Sequence, residues 1–226
     1  MFGSFQKSEP HFSDRRDAGR ALAMQLRQYA GRDDVVVLAL PRGGVPVGYE
    51  VAKELHAPLD VFIVRKLGVP GYEELAMGAI AAGGVRVLNK NVVAQLPDAD
   101  QMLDYATEKE TRELDRRALE YRDGRAPRNL RGETVILVDD GLATGASMRA
   151  AAMALRQFGI ARCVIGVPVA SRETCAELGE EADEIVCVIT PEPFYGVGQF
   201  YQDFSQTSDD EVRELLATAA AEETKK

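Results

Sequence analysis

Two adjacent acids, Asp139 and Asp140, end an apolar run and open onto a loop of small residues in the segment Val135-Ile-Leu-Val-Asp-Asp-Gly-Leu-Ala-Thr-Gly-Ala-Ser147. A buried strand would deliver this pair to its carboxyl end, the edge at which open α/β sheets bind ligands. Carboxylates are hydrogen-bond acceptors, and two side by side suit two neighbouring sugar hydroxyls. The loop's free amides, the hydroxyls of Thr144 and Ser147 and the N-terminal end of the helix that follows suit a phosphate dianion. Gly145 allows the backbone a close approach to such an anion. A Walker A loop would need Gly-Lys-Ser/Thr, and no Lys stands between Asp139 and Ser147; a Rossmann fingerprint would place its glycines before the acid. A plain capped turn between strand and helix has no use for two acids.

A second run, Val35-Val-Val-Leu-Ala-Leu-Pro-Arg-Gly-Gly44, carries Arg42, Gly43 and Gly44 into a tight turn. It reads either as a simple turn or as an anion-binding loop with one cation and two glycines. A third, Val61-Phe-Ile-Val-Arg-Lys-Leu-Gly-Val-Pro-Gly-Tyr72, brings Arg65 and Lys66 to a strand edge, followed by a loop with Glu73 and Glu74. That stretch is either an exposed basic edge with a flexible turn or a loop that closes over a reacting centre and excludes water. The tail holds Pro191-Glu-Pro-Phe-Tyr-Gly-Val-Gly198 and then Phe200-Tyr-Gln-Asp-Phe204. Its aromatics either pin the last helix or stack on a flat ligand.

The elements that must position these residues alternate along the chain. Apolar runs fall at Val35–Leu40, Val61–Val64, Met77–Ala82, Val135–Val138, Cys163–Val167 and Ile185–Ile189, several of them continuous, as for parallel strands covered on both faces. Helices are expected from about Ser13 to Gly31, with Ser13 as N-cap, and at Val45–Leu55, Ala146–Phe158, Ser171–Leu178 and from about Asp209. The succession predicts an α/β fold, a mainly parallel sheet flanked by helices with a small hood. One domain spans residues 1–226. Residues 98–125 form a charged helical insertion, either a dimer contact or a solvated helix on the sheet, and residues 190–207 form a C-terminal hood segment.

With 226 residues, 46% of them hydrophobic and 28% charged, the chain reads as an ordinary globular protein. A formal net charge of -9 argues against a broad nucleic-acid or anionic-membrane surface. No apolar run is long enough to span a bilayer, and residues 1–9 are too polar for a signal peptide. Two histidines and three scattered cysteines argue against a zinc site, and a reduced cytoplasmic setting is expected.

The order of apolar strand, two acids, three residues and Thr-Gly-x-Ser resembles the phosphoribosyl-binding signature of the type I phosphoribosyltransferases, the adenine enzymes in particular. The resemblance covers about Asp14 to Glu214. It implies a ligand, 5-phosphoribosyl-1-pyrophosphate, whose ribose hydroxyls meet Asp139 and Asp140 and whose 5-phosphate sits among Ala143, Thr144, Gly145, Ala146 and Ser147. It further implies pyrophosphate at Arg42, Gly43 and Gly44, with a cis peptide expected at Arg42–Gly43. Arg65 and Lys66 would belong to the catalytic loop, Phe194 and Tyr195 to the acceptor's stacking surface, and Asp203 to a Mg2+ site. The activity implied is transfer of the phosphoribosyl group to a small nitrogenous acceptor, a nucleobase being the expectation, by a homodimer with Mg2+.

The sequence departs from the family in its acids. Ala143 stands where the hypoxanthine-guanine enzymes carry Asp, and Ala79-Ile-Ala-Ala-Gly83 lacks the Glu of the adenine enzymes. Glu73 and Glu74 are the remaining substitutes. The missing acid favours a non-catalytic ligand sensor, whereas the retained Arg65-Lys66 and the loop after them favour an enzyme.

Overall fold

The computed structural model describes residues 11–224, apart from the side chains of Glu73, Glu74 and Ala82. Its centre is a five-stranded parallel sheet of β1 (Val35–Ala39), β2 (Leu59–Val61), β6 (Thr134–Val138), β7 (Arg162–Val169) and β8 (Glu184–Ile189), in the order β2-β1-β6-β7-β8. Every residue of β1 and β6 is buried, so the uninterrupted Val/Ile/Leu runs have apolar partners on both faces. Side chains alternate across the sheet: Val35, Val37 and Ala39 join one core, Val36, Leu38 and Leu40 the other. Helices α1 (Arg15–Gln25), α2 (Gly44–Leu55) and α7 (Asp209–Glu223) cover the first face; α5 (Ala146–Arg156) packs on the second. A short helix, α6 (Arg172–Glu177), follows β7, capped by Ser171.

The helix start predicted at Ser13 lies one residue later. Asp14 is the N-cap, its carboxylate accepting from the Asp17 amide at 2.7 Å, and α1 gives way to a 3-10 turn at Arg27–Tyr29 before Gly31. A larger difference concerns Val61–Val64 and Met77–Ala82, both expected as sheet strands. The first run divides: β2 ends at Val61, and after Phe62 and Ile63 a new strand, β3 (Val64–Val69), begins. The second belongs to β4 (Tyr72–Ala81), which pairs antiparallel with β3 and with β5 (Val85–Leu88) in a separate small sheet. Apolar continuity reports burial on both faces, not strand direction. β4 is the middle strand, with α4 (Ala99–Arg122) and α5 both packed on the small sheet.

Helix α4 occupies the segment expected to be a helical insertion, preceded by the short α3 (Lys90–Val93). Its inner face buries Leu103, Ala106, Leu114 and Tyr121, while Tyr105 and Leu119 are exposed. The last turn is anchored by Arg122, whose Nε donates to Asp60 Oδ1 at 2.9 Å and whose Nη2 donates to Val61 O at 2.8 Å. Residues 190–208 run irregularly, with one 3-10 turn at Val197–Phe200, and lay Phe200 and Tyr201 against Phe12 and Ala18. No helix among the described residues is long and apolar enough to cross a membrane. Cys175 and Cys187 form a disulfide between α6 and β8, a pairing not expected from the sequence, while Cys163 is free and buried.

The Arg122–Asp60 pair is nearly enclosed, with side-chain exposures of 10% and 14%. Removing one partner leaves the other charge without compensation, at a cost of about 3–5 kcal/mol. Arg122→Ala is therefore expected to lower the melting temperature by roughly 6–20 °C, at about 2–4 °C per kcal/mol for a chain of this size. Calorimetric melting checks this; an unchanged melting temperature would mean that the Arg122–Asp60 pair does not anchor α4.

Candidate active site at the ends of the parallel strands

β6 delivers Asp139 and Asp140 beyond its last buried residue, Val138. Asp139 Oδ1 accepts from the Asp140 amide at 2.8 Å. One oxygen of Asp140, Oδ2, accepts from Arg15 Nε at 2.8 Å, and the Asp140 carbonyl accepts from the Tyr201 hydroxyl at 2.6 Å. Burial and the neighbouring Asp140 charge push the Asp139 carboxyl well above the usual carboxylate range. Burial raises Asp140 as well, opposed by the Arg15 guanidinium.

After the acids, Leu142 bridges in parallel to Ala170, its amide donating to Val169 O at 2.9 Å, which fixes the loop against the end of β7. The Ala143 carbonyl accepts from the Thr174 hydroxyl at 3.0 Å. Gly145, with φ +67°, turns the chain into α5; the left-handed backbone there explains the glycine. Ala143, Thr144, Ala146 and Ser147 are exposed around it. A cavity of about 160 Å³ is lined by Asp139, Leu142, Thr144, Gly145, Ser147 and Met148, so one acid and both loop hydroxyls share a space. Amides at the start of an eleven-residue helix make that space favourable to an anion.

The loop after β1 packs directly on the acids. A methyl group at Gly43 would overlap Asp140 Oδ2, and one at Gly44 would come within 2.8 Å of Val138 O and 3.1 Å of Asp139 Oδ1. The two glycines are therefore what lets this loop and the acid pair meet. The cis peptide lies at Pro41–Arg42, one bond before the expected Arg42–Gly43. Arg42 is half-buried, with Nη1 3.7 Å from Asp209 Oδ2 at the start of α7.

Arg65 and Lys66 lie on a strand, β3, as the sequence indicates, but most of the loop expected after them is a β-hairpin: β3 and β4 pair from Val64 to Val69, with the turn at Pro70–Gly71. Adjacent residues of a strand point to opposite faces. Arg65 accordingly turns to α4, its Nε and Nη2 each 2.7 Å from Glu110 Oε2. Lys66 is exposed and lines a cleft of about 450 Å³ between the small sheet and α5, together with Asn89, Thr144, Ser147, Arg149 and Met153. Arg149, not singled out from the sequence, is paired with Glu177 at 3.2 Å and Glu181 at 3.1 Å. The backbone of Glu73 and Glu74 lies in β4; their side chains are outside the described part.

In the tail, Phe194 stacks on Phe200 with 5.8 Å between ring centres and packs on the Phe12–Tyr201 cluster. Tyr195 is 68% exposed. Asp203 is exposed, and its Oδ1 accepts from the Ser205 amide at 2.9 Å, which holds its carboxyl below the usual range. Among the described residues no group of three or more His, Cys, Asp or Glu side chains is arranged to hold a metal ion.

Because the folded-state titration of Asp139 is raised, its ionised form costs stability at neutral pH. Asp139→Asn keeps an oxygen to accept from the Asp140 amide and removes that cost. It is expected to raise the melting temperature at pH 7. The gain should shrink as pH falls through the raised folded value and vanish near the ordinary carboxylate value of about 3.9. Melting curves across this range check it; a gain independent of pH would refute the electrostatic origin.

A phosphoribosyl transferase domain model matches residues 13–204. The Mycobacterium tuberculosis protein Rv0571c, provisionally named a phosphoribosyl transferase, is 50% identical over 208 residues, which is 92% of this chain and 47% of that protein. The chain thus spans about half the length of the curated relatives it matches. The crystal structure of TT1426 from Thermus thermophilus superposes with a TM-score of 0.82 at 42% identity, covering 92% of this chain and 98% of that one. A Neisseria gonorrhoeae protein solved with bound ppGpp shares the fold, with a TM-score of 0.51 at 15% identity over 94% of this chain and 98% of that one. The parallel sheet, the acid pair with its small-residue loop and these matches together make the chain a member of the type I phosphoribosyltransferase family.

Proposed function

We propose that the chain binds 5-phosphoribosyl-1-pyrophosphate at the Asp139–Ser147 loop and transfers its phosphoribosyl group to a small nitrogenous acceptor, most simply a nucleobase. The observation that carries this reading is the packing of Gly43 and Gly44 against the acid pair, which joins two strand-end loops in one site. In it the 5-phosphate lies on the amides and hydroxyls of Ala143–Ser147, the ribose hydroxyls on Asp139 and Asp140, and the pyrophosphate along Arg42–Gly44. Each acid keeps one oxygen without a protein hydrogen bond among the described residues, Asp139 Oδ2 and Asp140 Oδ1, and these are the acceptors offered to the sugar. Tyr195, exposed beside the stacked pair Phe194 and Phe200, is the surface offered to a flat acceptor.

The reaction breaks the bond from the anomeric carbon to pyrophosphate oxygen and forms one to acceptor nitrogen, which gives up a proton. Positive charge grows on the ring and negative charge on the leaving group, so cations placed beforehand lower the barrier. Lys66, facing the cleft that also holds Thr144 and Ser147, is the cation free to do this. Arg65 would act only after leaving Glu110. The described residues build no metal cage, and Asp203 is engaged with Ser205. Mg2+ belongs to this proposal as a companion of the pyrophosphate oxygens and water.

A second reading, a sensor that binds the same ligand without turnover, is favoured by one observation: Ala143 is exposed in the loop where an acid would serve the acceptor. Pyrophosphate release, screened with purines, pyrimidines and small amines, separates the two. An enzyme releases it with at least one acceptor. In that case Lys66→Ala should lower turnover about a hundredfold, equivalent to ~2.7 kcal/mol, while changing ligand affinity much less. Equal falls in turnover and affinity would make Lys66 a binding residue only. Binding without release for every acceptor would establish the sensor.

A further inference from the structure

Arg15, in the first turn of α1, lies 125 residues before the acid it touches. Its Nε donates to Asp140 Oδ2 at 2.8 Å, its Nη1 donates to Ser205 O at 2.6 Å, and its guanidinium lies 4.0 Å from the centre of the Phe204 ring. The side chain is 12% exposed and that of Asp140 16%. A planar cation held on three sides in this way is fixed in direction as well as charge, which a flexible ammonium would not be. Phe204 in turn packs on Tyr201, whose hydroxyl donates to the Asp140 carbonyl.

We propose that Arg15 is a positioning residue for the acid pair: it aims the Asp140 carboxylate and allows two adjacent buried acids to be ionised together, so that both can accept sugar hydroxyls. The proposal rests on the ligand reading given above. Two neighbouring carboxylates removed from water otherwise share a proton, and a protonated acid presents one acceptor fewer. The other groups facing the pair do not supply the missing charge. Tyr201 presents a neutral hydroxyl, and Arg42 on the adjacent loop is drawn to Asp209. Arg15 is the cation in contact, and the Arg15–Ser205 bond links the state of the acids to the aromatic tail. Removing its charge should therefore move the titration of both acids upward.

Two measurements on the full chain test this, each on wild type, Arg15→Gln and Arg15→Lys, with circular dichroism to establish folding. In the first, the 13C-carboxyl resonances of Asp139 and Asp140 are titrated in the ligand-free protein. Arg15→Gln should move both to higher pH, and Arg15→Lys, which keeps the charge, should reverse most of that shift. In the second, calorimetry follows 5-phosphoribosyl-1-pyrophosphate binding against pH. The Gln variant should bind roughly tenfold or more weakly at neutral pH, a loss of about 1.4 kcal/mol, and recover as pH rises. Unmoved carboxyl titrations in a folded Gln variant would overturn the proposal, as would a loss of affinity of equal size at every pH. Shifted titrations in a protein that binds no ligand would leave Arg15's effect on the acids standing and sink the ligand reading instead.

Discussion

Two neighbouring carboxylates at the mouth of a buried strand repel each other and resist leaving water, and the surrounding structure is arranged around that conflict. An isolated acid at the end of β6 would relax towards solvent or take up a proton. Here the Asp140 amide turns back onto Asp139, Arg15 crosses from the first helix to Asp140, and Tyr201 secures the backbone between acids and tail. Gly43 and Gly44 then close the space from the other side, where any side chain would displace a carboxylate. Charge that costs stability in the folded chain is commonly retained where a ligand is to be bound.

The same economy of space explains the hairpin. A strand pair can place only every second side chain on one face, so Arg65 and Lys66 cannot both serve one centre while β3 holds its register. One is given to the helical layer through Glu110, the other to the cleft beside the phosphate loop. Helix α4 is in this sense part of the site's architecture: it takes up Arg65 at its middle and is fastened to β2 through Arg122 at its end.

Much of this was legible because local sequence dictates it. The buried runs at residues 35–40, 135–138 and 163–167 form central strands, and the Asp-Asp to Ser147 segment is a strand-end loop entering a helix, because strand burial and turn chemistry are properties of a few consecutive residues. Direction and partner are not. Met77–Ala82 reads like a parallel strand since a middle strand of a covered hairpin sheet has the same apolar continuity. Arg15 and Arg149 gave no signal: each is one arginine among many on a helix, and its meaning comes from a carboxylate 125 residues away or on α6 and the turn after it. The glycines of the β1 loop were legible as close-approach residues, but what they approach is set only by the pairing of β1 with β6.

β1 and β6 are neighbours in register from Val35 with Thr134 to Ala39 with Val138, so their exits lie side by side although about a hundred residues separate them. The Leu40 amide still donates to Val138 O at 2.9 Å, carrying the ladder one residue past the strand into the loop. Beyond β6, β7 contributes Val169 to hold Leu142, and the residue after its end, Ala170, bridges the same leucine. A one-residue slip of β1 against β6 would move Gly43 from Asp140 and turn the apolar faces of β1 into the wrong cores at once. The hydrophobic pattern that fixes the sheet is therefore also what fixes the distance between the two loops. The core and the site thus depend on the same five residues of each strand.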